Sequence, residues 1–184
     1  DGALGSRGAR LLYDYADQPG HRGISGAGYG FDEDLMEQAI RAGFQVAVHA
    51  IGDAGNREAL DILERIANEV PEQRGLRHRI EHAQVVHPDD VPRLAELGII
   101  ASMEPPHAVE DKTWAEDRLG PERIRHAYAW RTLRKLGEQF PASYPDAAVE
   151  ILRHYPEDTN WGRTWLCNHI FYHETGRYGQ STFR

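Results

Sequence analysis

The chain has a single cysteine, Cys167, in 184 residues, so an intrachain disulfide framework is excluded. No apolar run approaches the ~20 residues that a membrane-spanning helix needs, so a membrane is not an expected partner. Basic residues are in the minority. Against 29 Asp and Glu stand 21 Lys and Arg, and the formal net charge of -8 argues against nucleic acid as a partner. No Gly-x-Gly-x-x-Gly opens a helix after a strand, which weakens a dinucleotide-binding fold. The first residues, Asp1-Gly2-Ala3-Leu4-Gly5-Ser6-Arg7-Gly8, carry neither an initiator Met nor a signal-peptide pattern. They read as the middle of a longer sequence. A signal peptide can lie upstream, and the cytoplasm is the slightly favoured compartment.

What is present is an ordinary globular composition, 40% hydrophobic and 27% charged, in a chain long enough for one domain with a real core. Residues 1–30 are Gly-rich and read as loop. Asp32 is placed to cap a helix over 33–42 that Gly43 stops. Residues 44–50 form a short β-branched and apolar run, expected as a strand buried on both faces. A helix over about 56–70 follows, with Ala59, Leu60, Leu63, Ile66, Ala67 and Val70 on one face and Pro71 at its end. Then come a strand over 77–82, a helix over 89–97 closed by Gly98, and a strand over 99–103 that breaks at Pro105-Pro106-His107. A polar loop leads to Pro121, which predicts a helix to about 136. Alternating strands and helices with short connections imply an α/β fold with a parallel sheet and right-handed crossovers. A doubly wound sheet and a (β/α)8 barrel both satisfy the pattern. Near residue 137 the character changes: 138–184 hold out-of-register aromatics and one expected helix, 146–154, with no further β-α unit.

Three successive strands each deliver a histidine at or just beyond the C-terminal end: His49, His82 and His107. In parallel α/β folds that end is where active sites are built. Grouped imidazoles suit zinc and similar ions, and metal activation makes water a nucleophile near neutral pH. Asp53 and Glu81 stand beside these histidines and are candidates to orient them. Other readings stay open. Each histidine can be a hydrogen-bonded structural residue, Asp53 can cap the helix after it, and Glu81 can pair with Arg79 or Arg77. Cys167, His169 and His173 have the spacing of part of a zinc site, or are incidental to an aromatic segment. Arg7 and Arg10 could cradle an anion, or sit in a solvated loop.

The strings Asp1-Gly2-Ala3-Leu4-Gly5-Ser6-Arg7-Gly8-Ala9, Val48-His49-Ala50-Ile51-Gly52-Asp53, His78-Arg79-Ile80-Glu81-His82-Ala83-Gln84, Ala101-Ser102-Met103-Glu104-Pro105-Pro106-His107 and Trp114-Ala115-Glu116-Asp117-Arg118-Leu119-Gly120-Pro121-Glu122-Arg123 stand in this order. Together they resemble the amidohydrolase superfamily, in its amidohydrolase family 3 branch, over about residues 1–137. The resemblance implies a TIM-like (β/α)8 barrel with one or two divalent metal ions, zinc being the expected one, at its C-terminal face. It implies hydrolysis of C–N bonds in a small amide or cyclic amide by metal-activated water. His49 and His82 match the metal ligands after two consecutive barrel strands, and His107 matches a catalytic position facing substrate.

The resemblance also sets expectations about what is not matched. The family's His-x-His pair and bridging lysine would lie upstream of Asp1, and its last-strand aspartate, the general base, is not recognised after Leu136. The chain therefore reads as a partial barrel over 1–137 joined to an unrelated or divergent C-terminal tail over 138–184. Such a chain is expected to be weakly active or inactive alone. Its open sheet edges predict self-association, and a non-catalytic α/β module that binds a partner is the alternative reading.

Overall fold

The computed structural model describes residues 1–104, 106–130, 132 and 133. The expected boundary near 137, the helix over 146–154, the tail and the Cys167-His169-His173 group lie outside the described residues.

The elements alternate as the sequence pattern requires. They are α1 (Glu33–Arg41), β1 (Ala47–Ala50), α2 (Asp53–Glu69), β2 (Arg79–His82), α3 (Val91–Glu96), β3 (Ile100–Ser102), α4 (Pro106–Glu110) and α5 (Ala115–Arg123). The strands form one parallel sheet in the order β1-β2-β3. Ala47 pairs with Arg79 and Ala50 with His82, while Arg79 pairs with Ile100 and Glu81 with Ser102. Sequential strand order with a helix in each crossover leaves all three C-terminal strand ends on one edge of the sheet.

Local chemistry explains the helix ends. The Asp32 carboxylate accepts from the Leu35 amide at 2.9 Å and caps α1. Gly43, at φ 87°, and Gly98, at φ 67°, take the left-handed turns that follow α1 and α3. Val70 leaves helical geometry at φ -133°, as a residue before proline must. On α2, Ala59, Leu60, Leu63, Ile66 and Ala67 are buried and cover the sheet.

Four expectations are corrected. First, β1 is not buried on both faces: Ala47 and His49, which alternate onto one face of the sheet, are exposed because that face is left uncovered among the described residues, and no described strand pairs with its outer edge. An open groove of about 920 Å³ runs along that edge and α1, past Val46, Val48 and Met36. Second, α2 starts at Asp53, three residues before the expected Asn56, with Gly52 rather than Asp53 at the cap position; Asn56 lies within the first turn. Its buried amide donates to the carbonyls of Ala50 (3.2 Å), Gly52 (2.9 Å) and Val85 (3.2 Å).

Third, the helix expected from Pro121 to about 136 does not start at Pro121 or run unbroken: Pro121 lies inside α5, residues 127–129 are not helical, residues 130, 132 and 133 are helical again, and 134–136 lie outside the described residues. Gly120, at φ 78° and ψ 167°, kinks α5 ahead of Pro121, and a 3-10 turn over Ile124–His126 ends it. The chain then returns to bridge Ala127 to Val85. Fourth, the N-terminal segment is irregular, as expected, but only part of it is solvated: residues 16–20 are exposed, whereas the stretch around Arg7 and Arg10 packs on the core. Leu4, Ala9, Leu11 and Tyr15 are buried in the core. Arg7 pairs with Asp17, and Arg10 with Glu58.

At the N-terminal end of β2, His78 is 4% exposed. Its Nδ1 accepts from the Val46 amide at 3.2 Å and its Nε2 lies 2.5 Å from Gln73 Oε1. An acceptor at Nδ1 requires the neutral ring, and burial lowers the pKa from its ordinary 6.5. The unfolded chain then binds the proton more tightly than the folded one. Stability is complete above pH 6.5 and is lost as pH falls below it toward the depressed folded value. Urea unfolding should give a falling free energy from pH 7.5 to 5.5, with a shallower fall in His78→Gln. A flat or rising profile in the parent chain contradicts this account.

Candidate metal centre

The site lies at the C-terminal edge of the sheet. Parallel register pairs His49 with Glu81, so those two side chains share a face, and strand alternation would send His82 to the other face. It does not, because His82 and Ala83 leave strand geometry with φ 71° and 42°. Left-handed backbone in non-glycine residues costs roughly 1–3 kcal/mol each and clusters at functional sites. Here the turn brings the His82 ring to that of His49, with centroids 4.6 Å apart and planes at 70°. On its other side the His107 ring lies 5.2 Å away. His107 stands on α4, just past the end of β3. All three sequence-predicted histidines are thus brought together in a row with His82 at its centre.

Glu104 joins the row, and sequence reasoning missed it. Its Oε2 is 2.9 Å from His107 Nε2, off the axis of a hydrogen bond, and its Oε1 is 3.7 Å from His82 Nδ1. The only signal for it is an acidic residue at a strand exit, three positions before a histidine. The donor atoms of His82, Glu104 and His107 all lie within 4.8 Å of one another. His82 Nδ1 and His107 Nε2 are buried and have no hydrogen-bond partner among the described residues. Buried polar atoms are normally satisfied, so two orphaned imidazole nitrogens beside a carboxylate fit a divalent cation of the zinc type. Partial desolvation lowers the pKa of the half-exposed His49 ring; burial lowers that of His82, where Glu104 opposes the shift and the neighbouring histidines add to it. The neutral ring that this favours is the form that ligates a metal.

The two candidate orienting carboxylates are occupied elsewhere. Glu81 Oε1 accepts from Arg79 Nε at 2.8 Å on the same strand face. Asp53, 3% exposed, accepts from the Leu12 amide at 2.9 Å and its neighbour Ala54 at 3.0 Å. Burial raises its pKa despite these donors.

Asp1 is the second residue whose role the sequence did not disclose. Its carboxylate accepts from the amides of Arg10 (2.9 Å), Ile51 (3.0 Å) and Gly52 (2.8 Å), and its Oδ1 lies 3.6 Å from His49 Nδ1. It ties the N-terminal segment to the end of β1. The fit needs glycine: a Cβ on Gly52 would stand 2.0 Å from the Arg10 carbonyl oxygen, and one on Gly55 would stand 2.7 Å from Asp1 Oδ2.

The sequence model described as "Amidohydrolase family" matches residues 1–161. The chain is 36% identical over 141 residues to YtcJ of Bacillus subtilis (strain 168), whose name assigns it provisionally to the amidohydrolases; the match covers 74% of this chain and 25% of that protein. It is 36% identical over 134 residues to LONG AFTER FAR-RED 3 of Arabidopsis thaliana, covering 72% of this chain and 23% of the relative. The crystal structure of an uncharacterized metal-dependent hydrolase from Pyrococcus horikoshii OT3 superposes with TM-score 0.64 at 26% identity, covering 96% of this chain and 36% of the other. One from Pyrococcus furiosus gives 0.63 at 28% identity, covering 98% and 41%. The chain thus spans about a quarter of the length of these curated relatives.

Replacing Asp1 by Ala removes one charged acceptor from three backbone amides, and should cost about 3 kcal/mol. Urea unfolding at pH 7.5 measures it; a change within experimental scatter would show that water replaces the carboxylate.

Proposed function

The chain belongs to the amidohydrolase family, and on that basis we propose that its row of histidines is part of a metal-dependent hydrolase centre. The observation that carries this reading is a pair of buried nitrogens, His82 Nδ1 and His107 Nε2, with no hydrogen-bond partner among the described residues, in a row of three imidazoles. His82 and His49 would hold the ion, most simply zinc. When bound, it supplies Lewis acidity and brings water to nucleophilic strength near neutral pH. The frame is a sector of a (β/α)8 barrel, whose active sites stand at this end of the strands.

The protein's own residues set the rest. His107 faces substrate, with the Glu104 carboxylate beside its Nε2 on that side of the row. Glu81, fixed by Arg79, adds negative charge on the His49 face. Asp53 holds the loop at Leu12 against the start of α2 and so keeps the end of β1 in place. The substrate class is a small non-peptide amide or cyclic amide whose C–N bond is hydrolysed. The net charge of -8 is consistent with a substrate other than nucleic acid. No helix of the described residues is long and apolar enough to cross a membrane.

A second reading is favoured by the outer edge of β1, where Ala47 and His49 are exposed beside the open groove. An unpaired strand edge of this kind recruits another chain. In that reading the chain is an α/β module that associates with itself or a partner. Light scattering tests it: association is expected, and a monodisperse monomer counts against it.

For the metal reading, the dialysed chain should bind zinc stoichiometrically and lose it to EDTA. Both His82→Ala and His49→Ala should weaken binding, His82→Ala by at least about 100-fold, since loss of a ligand exceeds the 10–100-fold cost of losing its support. Unchanged affinity in both variants removes the metal centre.

A further inference from the structure

We propose that Gln84, Asp111 and Tyr128 are positioning residues that fix His82 relative to His107. This inference rests on the metal-centre reading. It starts from a closed polar triangle away from the imidazoles. Gln84 Nε2 donates to Asp111 Oδ2 at 2.7 Å and to Tyr128 Oη at 2.9 Å, and the Tyr128 hydroxyl donates to the same Asp111 oxygen at 2.6 Å. All three residues are buried. Such a network in an apolar setting is costly when a member is missing and directional when complete.

Its corners lie where they govern the site. Gln84 is two residues past His82, immediately after the left-handed pair His82–Ala83. Asp111 is four residues past His107, just beyond the last residue of α4. Tyr128 sits on the segment that returns across the sheet edge, itself left-handed at φ 54°, and its amide donates to the Gln84 carbonyl at 2.6 Å. The triangle therefore joins the exit of β2 to the helix that carries His107.

The other side of the same exit is held independently. The Ala83 amide donates to Ala50 O at 3.1 Å and the Val85 amide to Ile51 O at 2.9 Å. Asn56 reaches the Val85 carbonyl at 3.2 Å. Bonds to β1 and α2 hold His82 beside His49. The triangle holds it beside His107. Without it, the strained turn loses its side-chain tie to the end of α4, and the His82 ring is freer to swing back toward strand alternation.

The test uses Tyr128→Phe, which keeps the ring, and Asp111→Asn, which keeps the size. In the metal-free 184-residue chain, amide hydrogen exchange is measured at Ala83 and Val85 against the core of α2 at Leu63 and Ile66. Cobalt(II) titration then reads affinity and the visible ligand-field spectrum. Both variants should speed exchange at Ala83 and Val85 while Leu63 and Ile66 keep the parent rate. Cobalt affinity should fall about 10–100-fold with an altered spectrum. Parent-like exchange and affinity overturn the proposal, and so does equal acceleration at Leu63 and Ile66, which marks a purely structural role. If the parent chain itself takes up no cobalt, the metal-centre reading fails, and the exchange ratio alone still decides whether the triangle holds the His82 turn.

Discussion

The C-terminal edge of this sheet depends on the backbone at His82 and Ala83 refusing strand geometry. Register sets His49 opposite Glu81, and alternation alone would leave the imidazoles of His49 and His82 on opposite faces. Two consecutive positive φ values place them 4.6 Å apart instead. The cost of that turn is offset by hydrogen bonds on both sides: β1 carbonyls and Asn56 on one, the Tyr128 segment on the other. Strain held by an over-determined surrounding is how a fold stores geometry for a site.

Electrostatics follow from the same turn. Moving His82 into the row buries its Nδ1 without a hydrogen-bond partner among the described residues and surrounds it with two further imidazoles. Burial and like neighbours both disfavour the protonated ring. Glu104 is the nearest compensating charge, and it is more than half exposed. A site poor in protons, rich in imidazole and bordered by one carboxylate suits a soft-to-intermediate divalent ion better than calcium or magnesium, which prefer oxygen cages.

Much of this was legible in the sequence because its signals are strong and local. The i, i+3, i+4 face of α2, the Asp32 cap, the glycine stops at Gly43 and Gly98 and the three apolar runs located the sheet. The three histidines were legible because each terminates or closely follows one of those runs, and the strings around them carry the family resemblance that the match over 1–161 bears out. What escaped has physical reasons. In α5 only Ala115 and Leu119 are buried, too small an apolar face to reveal a helix, so the Gly120-Pro121 kink looked like a beginning. Asn56 spends its amide on three carbonyls, one of them across the fold at Val85, and no hydropathy pattern encodes that role. The exposure of β1 depends on what pairs with it, which a hydropathy pattern does not encode. Asp1 and Glu104 act across sequence separations or through a turn, and the left-handed His82 has no compositional marker, since the usual residue for such φ is glycine.

The central claim is that His82 sits at the middle of an imidazole metal centre. Zinc K-edge X-ray absorption of the zinc-loaded chain tests it most directly. The account predicts multiple scattering from at least two imidazoles, with nitrogen neighbours at about 2.0–2.1 Å, and loss of part of that signal in His82→Ala. A zinc shell of oxygen neighbours alone, or an imidazole signal that His82→Ala leaves unchanged, would contradict it.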